Sequence, residues 1–161
     1  MAFEIVFAIG WALLLAVGGG LLTTIDSWYH DLRKPRWQPP DWLFGPAWTL
    51  ILGAAAYAFV LAWRETGSDE ERALLLALYI VNGIFHFLWS PLFFKARRPD
   101  WALLEVPLLW ASVLALCILL RQWSPFASWL IVPYLAWVSF AAILNAAIVK
   151  ANRPFGGEGS G

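Results

Sequence analysis

Charge is scarce in this chain. Asp, Glu, Lys and Arg make up 14% of the 161 residues, where a soluble domain carries about 25%, and so few charges do not cover a globule of this size. The formal net charge is zero, and the basic residues sit at the ends of apolar runs rather than in one patch, which excludes a nucleic-acid partner. A single cysteine, Cys117, excludes an internal disulfide and a cysteine metal cluster; lying inside an apolar run, it reads as a small buried hydrophobe. There is no Ser-His-Asp set, no phosphate-binding loop and no metal-ligand spacing, so a hydrolase or a kinase has nothing to stand on. The first residues, Met1 to Phe7, contain Glu4 and neither Lys nor Arg, and so do not read as a secretory signal with a basic leading region.

What the chain has in quantity is apolar and aromatic surface: 61% hydrophobic residues, with 12 Trp and 11 Phe. Five apolar stretches, residues 3–25, 42–64, 73–94, 101–120 and 126–149, are each long enough to cross about 30 Å of hydrocarbon as a helix. The predicted fold is therefore an all-α membrane protein, a bundle of five transmembrane helices forming a single domain over residues 1–152, followed by a Gly-rich flexible tail over 153–161. Connections are short, and the one around Arg64 to Arg72 is a charged, solvated turn. Arg33, Lys34, Arg36, Lys95, Arg97, Arg98, Lys150 and Arg153 fall on one side of such a bundle, and Arg64, Arg72 and Arg121 on the other. Because Lys and Arg favour cytoplasmic loops, the N-terminus is expected outside and the C-terminus in the cytoplasm.

Within the helices, Ala8, Ala12, Ala16 and Gly20 recur every fourth residue, a smooth stripe that permits close approach of a second helix or a second protomer. Pro107 and Pro133 each remove an amide donor from a predicted helix and favour a kink, which leaves room between helices. Asn82, His86, Trp89 and Phe93 share one helical face, and Tyr134, Trp137, Ala141 and Asn145 share another. Two Asn and a His inside hydrocarbon are costly unless they face the bundle interior or a wet cavity. Trp stripes at this spacing serve either as ordinary packing or as the wall of a slot for a flat ligand, with Ala141 as the gap. Glu105, one turn into its helix, is expected to snorkel to the interface.

The stretch from Trp28 to Trp48, Trp28-Tyr-His-Asp-Leu-Arg-Lys-Pro-Arg-Trp-Gln-Pro-Pro-Asp-Trp-Leu-Phe-Gly-Pro-Ala-Trp48, holds four Pro and four Trp in 21 residues. By composition it is a stiff connection with an aromatic belt at headgroup depth. In spacing it resembles the signature of the tryptophan-rich TspO family, W-Y-x-x-L-x-K-P-x-W-x-P-P-x-W-x-F-x-P-x-W. Trp89-Ser-Pro-Leu-Phe-Phe94, Trp101-Ala-Leu103, Pro133-Tyr-Leu-Ala-Trp-Val-Ser-Phe140 and Leu144-Asn145 extend the likeness to about Arg153.

That resemblance implies a five-helix bundle, commonly a homodimer in membrane lipid, whose cavity opens toward the first connection. It implies a receptor or sensor for protoporphyrin IX or haem and for isoquinoline- or benzodiazepine-like ligands, with no obligatory cofactor. Carried onto matching positions, the pocket is walled by Tyr29, Trp37, Trp48, His86, Trp89, Trp137, Ala141 and Asn145, joined by Asn82 and Phe93 from the helical-face reading. Two alternatives stand beside the receptor: light-dependent porphyrin oxidation with Trp48 and Trp137 as the reactive aromatics, and a small-molecule carrier. His86 departs from the family, which usually has Asn there; it is expected to hydrogen-bond in the cavity, with ligation of haem iron as the other reading. Leu52 replaces a frequent Tyr. The segment Leu144-Asn-Ala-Ala-Ile-Val-Lys150 lacks the Tyr associated with sterol binding in animal relatives, so cholesterol is not an expected ligand.

Overall fold

Each apolar run is closed by a local stop signal, and the result in the computed structural model, which describes residues 2–156, is five long helices and one short one. Helix α1 (Phe3–Leu22) ends three residues before its apolar run does: after Gly18-Gly19-Gly20, the Thr23 hydroxyl donates to the Gly19 carbonyl (2.7 Å) and the chain turns extended. A single-turn helix α2 (Ser27–Asp31) follows, capped by the Asp26 carboxylate, which accepts from the Tyr29 amide at 3.1 Å. Helix α3 (Asp41–Glu65) starts directly after Pro39-Pro40 and continues through Pro46. Helix α4 (Asp69–Ser90) begins four residues earlier than its apolar pattern, because Ser68 accepts from the Glu71 amide (3.2 Å) while the Glu71 carboxylate accepts from the Gly67 amide (2.6 Å). Helices α5 (Pro99–Leu119) and α6 (Pro125–Asn152) both place proline in the first turn, where its missing amide costs nothing, and α6 is capped by Ser124. Both helices run on through Pro107 and Pro133. All five long helices are apolar enough to span a membrane.

The helices pack as a closed ring in the order α1, α3, α6, α5, α4 and back to α1. At the end remote from the first connection the ring is filled: Ala55, Ala58, Phe59 and Ala62 of α3 meet Leu75 and Tyr79 of α4, Val113 and Leu116 of α5, and Ile131 of α6. Trp11 and Tyr79 tie three helices there. The Trp11 indole donates to the Tyr79 carbonyl (3.0 Å), and the Tyr79 hydroxyl donates to the Ala55 carbonyl (2.7 Å). Gly83 makes the first of these possible, since a Cβ there would stand 3.0 Å from the Trp11 indole nitrogen. Trp11→Phe keeps most of the ring but leaves no donor, and is expected to lower stability by about 1 kcal/mol, read as a shift in the thermal midpoint in detergent.

The small-residue stripe of α1 has two uses: Ala8, Ala12 and Ala16 pack on the core, and Ala16 and Gly20 border the central cavity. Cys117 is buried, with its carbonyl accepting from the Ser128 hydroxyl. Glu105 does not snorkel. It lies on the buried stripe of α5 with Ala102, Leu109, Val113 and Leu116, and neither carboxylate oxygen has a partner among the described residues. The spacing of those four residues puts position 105 between two flanking helices rather than on the lipid side.

The three basic connections do meet at one end. Asp26 pairs with Arg97 at 3.3 Å, and the Arg33 backbone is held by Asn152: its amide donates to the Asn152 carbonyl oxygen (2.7 Å) and its carbonyl accepts from the Asn152 amide (2.8 Å). At the opposite end Arg64 pairs with Glu4 at 3.3 Å. The last five residues, part of the tail expected to be unpacked, lie outside the described residues.

Candidate functional site

Beneath the first connection the ring is open, enclosing a cavity of about 480 Å³, within the range of small-molecule sites. Its wall on α3 runs from Asp41 to Leu52 and on α6 from Trp137 to Ile148, so it is about 16 Å deep at 1.5 Å per helical residue. The segment from Thr23 to Pro40 forms a strap across it. Lys34 stiffens the strap from within: its ammonium accepts no ligand role, because it donates to the carbonyls of Tyr29 (2.5 Å) and Leu32 (3.2 Å) and lies 4.3 Å from the centre of the Tyr29 ring.

Of the residues expected at the site, Tyr29, Trp48, His86, Trp89, Phe93, Trp137, Ala141 and Asn145 line this one cavity. Trp48 is the centre of the aromatic wall, meeting the rings of His86 (4.7 Å), Tyr134 (6.1 Å) and Trp137 (6.3 Å) nearly at right angles. Asn145 is buried and fully engaged, accepting from the Trp89 indole (3.1 Å) and donating to the Pro99 carbonyl (3.0 Å), which fixes both the Trp89 ring and the start of α5. The indole nitrogen of Trp137 has no partner among the described residues. Phe93 and Phe94 are adjacent in sequence and both buried, because α4 widens after Pro91 into a π-type turn, Pro91–Lys95, closed by the Ala96 amide on the Pro91 carbonyl (2.8 Å). Arg97, at φ 53°, then reverses the chain.

Two expected residues stand elsewhere. Trp37 is half exposed and packs edge-on against Phe140 at 5.8 Å instead of lining the cavity. A tight turn, with the Gln38 amide donating to the Pro35 carbonyl (3.1 Å), rotates Trp37 outward and Gln38 inward. Asn82 is completely buried below the cavity, where it accepts from the Tyr134 hydroxyl (3.1 Å) and donates to the Ser112 hydroxyl (3.0 Å), whose own hydrogen goes to the Leu109 carbonyl (2.7 Å).

That relay sets the state of His86. Since the Tyr134 hydrogen is used on Asn82, the 2.8 Å contact between Tyr134 and His86 Nδ1 has the imidazole as donor. A neutral ring held this way carries its lone pair on Nε2, which is not sealed off and has no partner among the described residues. It is an acceptor on the cavity wall.

Sequence reasoning missed the strap's polar end. The Tyr29 hydroxyl donates to Asp41 (2.7 Å) and accepts from Gln38 (3.0 Å); burial foremost, then the Asp41 bond, push its ionisation well above the usual phenol range, so it remains a donor. Gln38 and Asp41 occupy variable positions of the tryptophan-proline pattern, and only the inward turn at Pro35 would have flagged them.

A sequence model of the TspO/MBR family matches residues 5–150, nearly all of the chain and every helix around the cavity. The chain belongs to the TspO/MBR family. It is similar to the Translocator protein of Sus scrofa (37% identical over 152 residues, 91% of this chain and 90% of the relative). Among prokaryotic proteins it is similar to the Tryptophan-rich protein TspO of Chlorobaculum tepidum (37% over 150 residues, covering 89% and 92%) and to the Tryptophan-rich sensory protein of Cereibacter sphaeroides (35% over 150 residues, covering 88% and 92%). As a TspO/MBR protein with five spanning helices it is a multi-pass membrane protein. Within that frame the TspO tryptophans divide by depth: Trp48, Trp89 and Trp137 face the cavity, while Trp42 and Trp129, each 71% exposed, are placed for the aromatic belt.

Proposed function

We propose that this TspO/MBR chain is a membrane receptor that binds a flat tetrapyrrole, protoporphyrin IX or haem, or a drug-like isoquinoline or benzodiazepine, in the cavity under the strap. The observation that carries the reading is the convergence of Trp48, Trp89 and Trp137 with His86 on one enclosed apolar space of about 480 Å³. Indole walls offer a planar ligand large apolar contact area, and few polar atoms are needed to orient it. Titrating protoporphyrin IX into the protein in detergent is expected to quench tryptophan fluorescence saturably, and quenching that stays linear with ligand would defeat the receptor reading. The expected part of His86 is that of a hydrogen-bond acceptor in the wall; iron ligation by Nε2 is told apart from it by haem titration, since only ligation makes the Soret band depend on His86→Ala.

The same reading has the protein working as a homodimer, with the strap end and the C-terminus in the cytoplasm, as the eight basic residues there favour. Labelling of single cysteines introduced at Arg33 and at Glu70, in sealed cells, discriminates the two orientations. Sterol binding is expected to be weak, and saturable sub-micromolar cholesterol binding would refute that part alone.

A further inference from the structure

The polar end of the cavity has a hydrogen-bond direction that can be worked out atom by atom. A carboxylate only accepts, so the single hydrogen of the Tyr29 phenol goes to Asp41, at 2.7 Å. The phenol oxygen is then left to accept, and what it accepts from is the Gln38 amide nitrogen, at 3.0 Å. The Gln38 nitrogen thus gives one of its two hydrogens to Tyr29, and its carbonyl oxygen, sealed from the cavity, has no partner among the described residues. Gln38 and Asp41 both line the cavity, and Tyr29 uses only one oxygen of the Asp41 carboxylate. Thr23, also on the lining, has its hydrogen committed to the Gly19 carbonyl at 2.7 Å.

Among the described residues that line the cavity, the Asp41 carboxylate is the group that carries a charge. No Lys or Arg is among the described residues that line the cavity. Lys34 of the strap is turned onto the backbone carbonyls of Tyr29, His30 and Leu32. Arg97 is engaged with Asp26 and lies 5.8 Å from the Trp28 ring, outside the lining. An anionic group placed beside Asp41 would meet like charge, whereas an ammonium or amidinium would pair with its carboxylate.

We infer that the cavity selects flat aromatic ligands carrying a protonated amine or amidine at the strap end, with Asp41 as the residue that determines this specificity. The inference rests on the receptor reading and narrows it: a tetrapyrrole would be held with its acid side chains directed away from Asp41.

A matched pair of probes tests it, 9-aminoacridine as the planar cation and acridine-9-carboxylate as the planar anion, titrated against tryptophan fluorescence of the full chain in an uncharged detergent. The cation is expected to bind about tenfold more tightly. Asp41→Asn, which retains an acceptor for the Tyr29 hydroxyl, is expected to bring the two affinities within about twofold of each other, mainly by weakening the cation. Equal affinities in the unmodified protein, or a preference that Asp41→Asn leaves unchanged, would overturn the inference while leaving the receptor standing. Failure of both probes and of protoporphyrin IX to quench would remove the receptor and the inference together.

Discussion

Ala141→Phe is expected to abolish saturable quenching by protoporphyrin IX, lowering affinity by about a hundredfold or more, while shifting the thermal midpoint by only a few degrees. Ala141 lines the cavity between Trp137 and Asn145, four residues before the latter, at the one place on the α6 wall where a methyl group interrupts larger side chains. A phenyl group at that position projects into open space, so it takes volume from the ligand without the overpacking cost of a filled core, about 1–3 kcal/mol. The two readouts must be taken together. Loss of quenching with an intact midpoint places the ligand against α6, whereas unchanged quenching would mean that it binds elsewhere.

Asn145→Leu is expected to damage both stability and binding. The side chain is 1% exposed and satisfies two groups that have no substitute, the Trp89 indole and the Pro99 carbonyl. Leucine is of similar size, so the effect is not that of a cavity; it leaves a donor and an acceptor unpaired inside the membrane. Deleting one partner of a buried bond costs about 1–3 kcal/mol in water-soluble proteins, and interhelical bonds in membranes average about 0.6 kcal/mol, so the two together are expected to cost about 1–3 kcal/mol. Thermal unfolding in detergent measures that. Trp89, no longer tethered, is expected to lose its fixed edge toward the cavity, and the affinity for protoporphyrin IX to fall about five- to tenfold. Asn145→Asp, which keeps the acceptor for Trp89 but not the donor to Pro99, separates the ring's tether from the helix anchor.

Much of the wall was legible because helical periodicity is a strict geometric rule. Trp89 and Phe93 on one helix, and Trp137, Ala141 and Asn145 on another, had to share faces once the runs were read as helices, and costly polar groups among them had to turn inward. The same rule does not say at what depth a face stops meeting the cavity. Asn82 lies on the stripe of His86 but one turn too deep, where it holds Tyr134 and Ser112 instead of facing open space. Trp37 was illegible for another reason: outside helices, the direction of a side chain depends on turn geometry, and the turn closed by Gln38 on Pro35 exchanges the two neighbours. Glu105 was misplaced because one turn from a helix end is near water along the axis, although α4 and α6 wall it off sideways. Helix edges moved where side-chain caps or glycines intervened, at Ser68 and after Gly20, since hydropathy does not register either.

The clasp between Asn152 and the Arg33 backbone joins positions 119 residues apart. During translation Arg33 leaves the ribosome long before its fastener exists, and every intervening helix must be made before this clasp over the cavity can close. A nascent chain therefore lacks this clasp until the final turn of its last helix is made, and truncation just ahead of Asn152 would leave the strap fastened by the Asp26–Arg97 and Tyr29–Asp41 contacts without it.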